Sequence, residues 1–282
     1  MNTQAATAGL SLLAAASWGG SDFAGGMGAR RVPPLLIVAF EQCSSFIFLV
    51  ALCLLLRLPI AAPHELLFAA MGGFTGSLAL VVFYRALSMG AMGMTAALTG
   101  LLTALVPVLF SLAQEGLPPA TTLAGLAVGL GAIWLITSTP AGLGAGSPPK
   151  ALLLAAIAGL FFGAQLVSFK LASGGGLIWT MTAARAAGAA SILLTLCLMP
   201  PKGPRSGFWK TGLITGVLNL SACFLYLRAS QLGRMDVAAL VASLYPAGTI
   251  LLAALVLHER PTRQQLGGIG LALVAVLLLS SL

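Results

Sequence analysis

Charge is what this chain has least of. Only 20 of its 282 residues are charged, 14 Lys+Arg and 6 Asp+Glu, or 7%, where soluble domains carry roughly 25%. So few charges cannot cover the surface of a folded soluble protein of this length. With 59% hydrophobic residues and a mean hydropathy of +1.04, the solvent that suits the chain is a lipid bilayer. Histidine is nearly absent, with His64 and His258 falling in separate loops. Cys43, Cys53, Cys197 and Cys223 lie inside apolar runs with no Cys-x-x-Cys or Cys/His spacing. They imply neither a disulfide framework nor a metal site and read as small buried hydrophobes; no metal or other cofactor is expected. The phosphate-binding pattern Gly-x-x-x-x-Gly-Lys-Ser/Thr is missing, which excludes a built-in ATP motor. His-Glu-x-x-His and Gly-x-Ser-x-Gly are missing too, so an enzyme acting on lipid-linked substrates has little to support it. A net charge of +8 would suggest nucleic acid in a soluble protein; here it reads as the Lys/Arg bias of membrane loops, with no nucleic-acid partner. Met1 is followed by neither a charged segment nor a cleavage site, so the first apolar run is expected to stay in the mature protein.

Long apolar runs are what the chain does have. A membrane-spanning helix needs about 20 apolar residues, and ten such runs fill the sequence: 7–27, 33–56, 66–88, 92–113, 119–138, 150–172, 177–199, 208–230, 237–257 and 262–281. They lack the alternating polarity of barrel strands and are about twice too long for them. The expected fold is therefore an all-α membrane protein of ten transmembrane helices. A Gly/Pro/Ser-rich break at 139–149 divides it into residues 1–140 and 150–282. Connections are short, so consecutive helices are expected to pack as antiparallel neighbours.

The two parts repeat. A shift of 143 residues superimposes Gly73 on Gly216, Arg85 on Arg228, Ala86 on Ala229, Gly90 on Gly233, Met92 on Met235 and Pro118 on Pro261. A shift of 144 superimposes Gly19 on Gly163, Leu52 on Leu196 and Cys53 on Cys197. Five spans per repeat is an odd number, so the second copy enters the membrane from the opposite side. That is the inverted-repeat architecture of secondary transporters, with the substrate site expected in a central cavity at the midplane between halves.

The residues also carry a family likeness. Ser17-Trp18-Gly19-Gly20-Ser21-Asp22-Phe23 looks like the end of the first helix in EamA-type ten-helix permeases of the drug/metabolite transporter superfamily. Tyr226 and Ala229 leading to Gly233, and Ala86 leading to Gly90, are similar to the family's Tyr–Ala–Gly signature. Leu244-Tyr245-Pro246 followed by His258-Glu259-Arg260 resembles its Pro followed by Gly-Glu-Arg. Two positions depart from the pattern: Glu41 stands where its repeat partner Arg185 has the family's usual Arg, and His258 replaces the usual Gly. The resemblance covers essentially the whole chain. It implies a cavity lined by spans 1, 3, 4, 6, 8 and 9, and export of small metabolites, amino acids among them, across a bacterial-type plasma (inner) membrane. A multidrug or organic-cation exporter is the nearest alternative. The partners expected are a small-molecule substrate and the bilayer, with the monomer as the working unit.

Charges inside a bilayer are costly and mark function by default. Arg85, Lys170 and Arg228 lie near span ends, where long side chains snorkel to the headgroups. Asp22, Glu41 and Arg185 lie deeper; at 1.5 Å rise per residue Glu41 and Arg185 sit about 12 Å into their spans. Either one carboxylate exchanges a proton and couples transport, or one pairs with Arg185 as a structural ion pair; the sequence leaves both open. The neutral candidates for the cavity wall are Trp18, Phe83, Tyr84, Thr99, Phe162, Gln165, Ser168, Asn219, Tyr226, Ser243 and Tyr245. Such donors, acceptors and ring faces suit a polar metabolite, and they suit helix–helix packing equally. Pro107 and Pro246 are expected to kink spans 4 and 9. Gly72/Gly76, Gly159/Gly163 and Gly212/Gly216 form Gly-x-x-x-Gly pairs for close helix approach.

Orientation is contested at this level. Odd-numbered loops and the adjacent span ends hold nine basic residues (Arg30, Arg31, Arg85, Lys150, Lys202, Arg205, Lys210, Arg260, Arg263), and even-numbered ones hold four (Arg57, Lys170, Arg228, Arg234). The positive-inside rule then places both termini outside, whereas the resemblance implies both inside.

Overall fold

The computed structural model describes residues 3–29, 31–87, 92–137, 149–204, 206–256, 258 and 262–280, with some side chains in these segments, Tyr84 and Arg85 among them, left out. Arg30, Gly90, Arg205, Glu259, Arg260 and most of the 139–149 break lie outside the described residues. The described chain forms α1 (Thr3–Ala29), α2 (Pro34–Leu55), α3 (Pro63–Leu87), α4 (Met92–Glu115) and α5 (Ala120–Thr137). It continues with α6 (Pro149–Leu171), α7 (Leu177–Leu198), α8 (Phe208–Leu232), α9 (Met235–Ala242), α10 (Tyr245–Val256) and α11 (Arg263–Ser280). One 3-10 turn, Ser173–Gly175, links α6 to α7, and no strand occurs among the described residues. Seven stretches among the described residues are long and apolar enough to cross a membrane, and the protein is an integral membrane protein. In lipid every backbone N–H and C=O must be satisfied within the segment, which a helix does and an open strand does not.

Local sequence explains where helices begin. Pro34 opens α2 at the position where a missing N–H costs nothing. Ahead of α3, the Glu65 carboxylate accepts from the Ala62 N–H at 3.2 Å. Thr262 and Gln265 cap α11 reciprocally: Thr262 N–H donates to Gln265 Oε1 at 2.9 Å, and Gln265 N–H to Thr262 Oγ1 at 3.2 Å. After α10 the chain turns through His258 at φ 57°, the left-handed region that favours glycine. The equivalent loop of the first half, after α4, uses Gly116 at φ 76°. The position that the resemblance gives to Gly is thus one where the backbone calls for it.

Packing departs from the expectation of antiparallel sequence neighbours. The most extensive interfaces join the two halves: α1 with α8, α3 with α6, α4 with α6, α3 with α7, α2 with α7 and α8, and α5 with α11. A short loop holds two helices together at one end only, whereas the glycine faces let backbones approach along their length. Each Gly-x-x-x-Gly pair packs within the chain: Gly72 and Gly76 against Phe169 and Gln165, Gly159 and Gly163 against Thr99 and Val106, Gly212 and Gly216 against Ile37 and Glu41. The interfaces also come in corresponding sets. Moving each helix to its repeat equivalent turns α1–α8 into α6–α3, α2–α8 into α7–α3, and α1 on α9 and α10 into α6 on α4. Large side chains on the outside, such as Leu13, Ile47, Phe48, Leu54, Leu109, Leu153, Leu194 and Leu277, are more than half exposed, as a lipid-facing surface requires.

Span 9 is two helices. α9 ends at Ala242 and α10 starts at Tyr245, with Pro246 in the first turn of the new helix, where no backbone donor is needed. Pro107 instead lies inside α4, which continues past it.

The tightest backbone approach yields a test. A Cβ on Gly73 would fall 1.9 Å from the Ala184 carbonyl oxygen, so α3 and α7 would have to separate; a Cβ on Gly9 meets nothing within 4 Å. Gly73→Ala is expected to lower the unfolding temperature of the detergent-solubilised protein by several degrees, a cost of about 1–3 kcal/mol. Gly9→Ala is expected to leave it unchanged or raise it slightly. Thermal unfolding followed by size-exclusion chromatography reads both.

Candidate functional site

The helices converge on a cavity of ≈ 90 Å³. Its wall is shared evenly. Trp18 and Asp22 come from α1, Glu41 and Gln42 from α2, Gly76, Leu80 and Phe83 from α3, and Thr103 from α4. Phe162, Gln165 and Leu166 come from α6, Arg185 from α7, Asn219 and Cys223 from α8, and Ser243 and Tyr245 from the break in span 9 and its second helix.

Arg185 organises this wall. It is 5% exposed and Glu41 is 3% exposed, and the two face each other with Arg185 Nη1 at 3.5 Å from Glu41 Oε1. The same Nη1 donates to Gln42 Oε1 at 3.0 Å. Nη2 donates to Asn219 Oδ1 at 2.8 Å and lies 3.6 Å from Cys223 Sγ. Cys223 in turn donates to Asn219 Oδ1 at 3.3 Å, and Gln42 Nε2 donates to Ser77 Oγ at 3.3 Å. A buried guanidinium is tolerated only when paired and hydrogen-bonded, and this one is held from α2 and α8 at once. Asp22 differs. It stands on the wall, and among the described residues no hydrogen bond or salt bridge reaches it. Ser243 Oγ, in a residue 2% exposed, also lacks a partner among the described residues.

The aromatic residues stack in two corresponding pairs. Trp18 and Tyr226 have ring centroids 6.0 Å apart, and Phe162 and Phe83, their repeat partners, 6.1 Å apart in an edge-to-face arrangement. Such pairs are in the favoured range for ring contacts.

Of the residues singled out by sequence, Trp18, Asp22, Glu41, Phe83, Phe162, Gln165, Arg185, Asn219, Ser243 and Tyr245 meet at the cavity. Three others sit behind it, in helix interfaces. Thr99 Oγ1 donates to the Ala155 carbonyl at 3.0 Å, Tyr226 donates its phenol to the Leu166 carbonyl at 3.1 Å, and Ser168 lies against α3 beside Gly72. The side chain of Tyr84 lies outside the described residues. Gln42, Thr103 and Cys223 were not anticipated. The last two lie one helical turn beyond Thr99 and Asn219, so i, i+4 extension of the polar face was the available signal. Gln42 is the polar neighbour of Glu41 in an apolar run.

The charges near the span ends are also placed. Lys170 donates to the Ser230 carbonyl near the end of α8, a cationic cap for a helix C-terminus. Arg228 reaches Gln231 Oε1 at 3.3 Å on the surface. Arg234 binds the fully buried Asp236 at 2.9 Å and approaches Glu115 at 3.8 Å, tying the end of α4 to the start of α9. Among the described residues no group of His, Cys, Asp and Glu could hold a metal ion.

Residues 149–281 match the EamA-like transporter family, and this segment contributes half of the cavity wall. A solved structure, titled only "Crystal structure of protein", is similar over 98% of this chain and 98% of its own, with a TM-score of 0.79 and 18% identity. A likeness at that identity shows a shared fold. Among curated proteins, none matches.

The Arg185 cluster predicts a specific energetic pattern. Arg185→Met strands the Glu41 carboxylate and is expected to destabilise by about 3–5 kcal/mol. Adding Glu41→Gln should recover most of that loss, because the carboxylate stranded by the first substitution is then neutral. Denaturant unfolding in mixed micelles measures the cycle, and a double variant no more stable than Arg185→Met would contradict it.

Proposed function

We propose that this protein is a secondary transporter of small molecules, built as two inverted five-helix repeats that move around the central cavity by alternating access. One observation carries the reading. Ten of the sixteen residues of the cavity wall are repeat partners: Trp18 with Phe162, Asp22 with Leu166 and Glu41 with Arg185 at an offset of 144, and Gly76 with Asn219 and Leu80 with Cys223 at 143. A cavity on the pseudo-two-fold axis between halves is where an inverted-repeat transporter holds its substrate. The family match over 149–281 and the correspondence of helix interfaces support the same reading. The proposed role is export of small metabolites, with amino acids as the expected class, from a monomer in a bacterial-type inner membrane. The organic-cation alternative gains weight from one feature, the Asp22 carboxylate without a partner.

Coupling follows from the same contrast. Glu41 is neutralised by Arg185, so Asp22 is the acid free to hold a proton or a cation in turn. An Asp22→Asn variant in proteoliposomes is expected to lose the dependence of flux on an imposed proton gradient. Glu41→Gln should retain it, and the reverse pattern would move the coupling role to Glu41.

Flux also tests the shared wall. Trp18→Ala and Phe162→Ala each remove an aromatic contact of about 0.5–1.5 kcal/mol, so each should lower transport by about two- to tenfold. Leu13→Ala, on the lipid-facing surface at 56% exposure, should not. A series of amino acids and lipophilic cations as competitors identifies the substrate class; absence of any time-dependent flux would sink the transporter reading.

A further inference from the structure

The ionic groups on the cavity wall are unequally satisfied. Both terminal nitrogens of Arg185 are engaged, Nη1 by Gln42 and Glu41 and Nη2 by Asn219 and Cys223, so little is left for an incoming anion. Glu41 is balanced by Arg185. Asp22 is the remaining charge, and with all three groups ionised the wall carries a net charge of −1 (Asp22 and Glu41 negative, Arg185 positive). An uncompensated charge at membrane depth is costly, so this wall is complementary to a cation.

The surroundings of Asp22 fit an ammonium group better than a bare metal ion, which would want more oxygen ligands. Trp18 lies one turn before Asp22 on the same face of α1, and both line the cavity. Tyr245 is brought in where α1 packs tightly on α10: a Cβ on Gly19 would fall 2.7 Å from the Tyr245 carbonyl oxygen. Ser243 adds a buried hydroxyl without a partner among the described residues. Phe83 and Phe162 give the wall an apolar edge-to-face surface.

We propose that Asp22 is the receptor for a protonated amine. The cavity selects small amines with an apolar, preferably aromatic, body, and the ligand needs no carboxylate of its own. This rests on the reading of the cavity as the transport site. Asp22 supplies the counter-charge, the ring faces of Trp18 and Tyr245 attract the cation, and Ser243 Oγ accepts an N–H. Phe83 and Phe162 receive the body. The cavity of ≈ 90 Å³ limits the ligand to a small molecule.

Calorimetric binding to the purified full chain in nanodiscs tests this with four probes sharing one ring: phenethylamine, 2-phenylethanol, 3-phenylpropionate and phenylalanine. Phenethylamine is expected to bind at least about tenfold tighter than the alcohol or the acid, and no more weakly than phenylalanine. Asp22→Asn should erase the preference for amine over alcohol without changing the affinity for the alcohol, and Asp22→Glu should keep the preference. Tighter binding of the acid or of phenylalanine, an amine preference that survives Asp22→Asn, or no amine binding at about millimolar concentration would each overturn the proposal. If Asp22→Asn does not stay monodisperse, the wild-type probe order and Asp22→Glu decide. Flux of phenethylamine in proteoliposomes separates this inference from the one beneath it. Selective binding without flux refutes the transporter reading and leaves the amine site standing; flux that ignores the amine refutes the site.

Discussion

A guanidinium held in the middle of an apolar helical assembly needs its donors satisfied, and much of the centre is arranged around that requirement. Arg185 on α7 takes acceptors from α2 and α8, so three helices from both halves are tied to one side chain. The small residues at the centre serve the same end. Gly73 lets α3 meet the α7 backbone at Ala184, next to Arg185 in sequence, and Gly76 leaves room for Gln165 on the wall. The ion pair need not add net stability, since desolvation offsets much of the attraction. What it does is fix position: a charge this deep tolerates one set of partners, so the helices that supply them have one register.

Correspondence of position without correspondence of chemistry is the second feature of the site. The two halves place side chains at equivalent points, but Glu41 faces Arg185, Asp22 corresponds to Leu166, and Gly76 to Asn219. In the proposed inverted arrangement, the shared backbone geometry gives two related conformations open to opposite sides. The differences in side-chain chemistry then decide what the cavity holds. The break in span 9 belongs to the same asymmetry: α4 runs through Pro107, while its counterpart stops at Ala242 and restarts at Tyr245, presenting Ser243 and Tyr245 to the cavity. The Arg234 cluster with Asp236 and Glu115 ties the start of that broken span to the end of its counterpart.

Apolar runs, helix lengths and the internal offset were legible from the chain because each is local or periodic. So was most of the wall, since a polar or aromatic residue in an apolar run has few other places to be. Legibility failed in three specific ways. Thr99, Ser168 and Tyr226 have the chemistry of wall residues, yet their hydroxyls or packing faces turn to neighbouring helices, as at the Tyr226–Leu166 bond. A composition argument cannot separate these uses, because a hydroxyl satisfies a carbonyl and a ligand equally well. Cys223 read as a small hydrophobe and joins the Arg185 cluster, and Asp236, which no sequence pattern singled out, is fully buried against Arg234. Both depend on a partner far away in the chain or on how the loop folds back. Sequence adjacency also misjudged the packing, because loops constrain ends and not faces.

What the sequence determined by itself is the solvent, the all-helical architecture and the short list of ionic residues that a bilayer does not tolerate idly. Scarcity of charge made that list short, and helical periodicity made the spans plain. Which of those residues face one another was decided only by tertiary structure. Whether Glu41 or Asp22 takes Arg185 depends on the rotation and approach of α1, α2, α7 and α8, set by glycine contacts spread over the whole chain. That choice leaves Glu41 paired and Asp22 open to the cavity, a difference no local pattern carries, because both are carboxylates in apolar helices until the helices are packed.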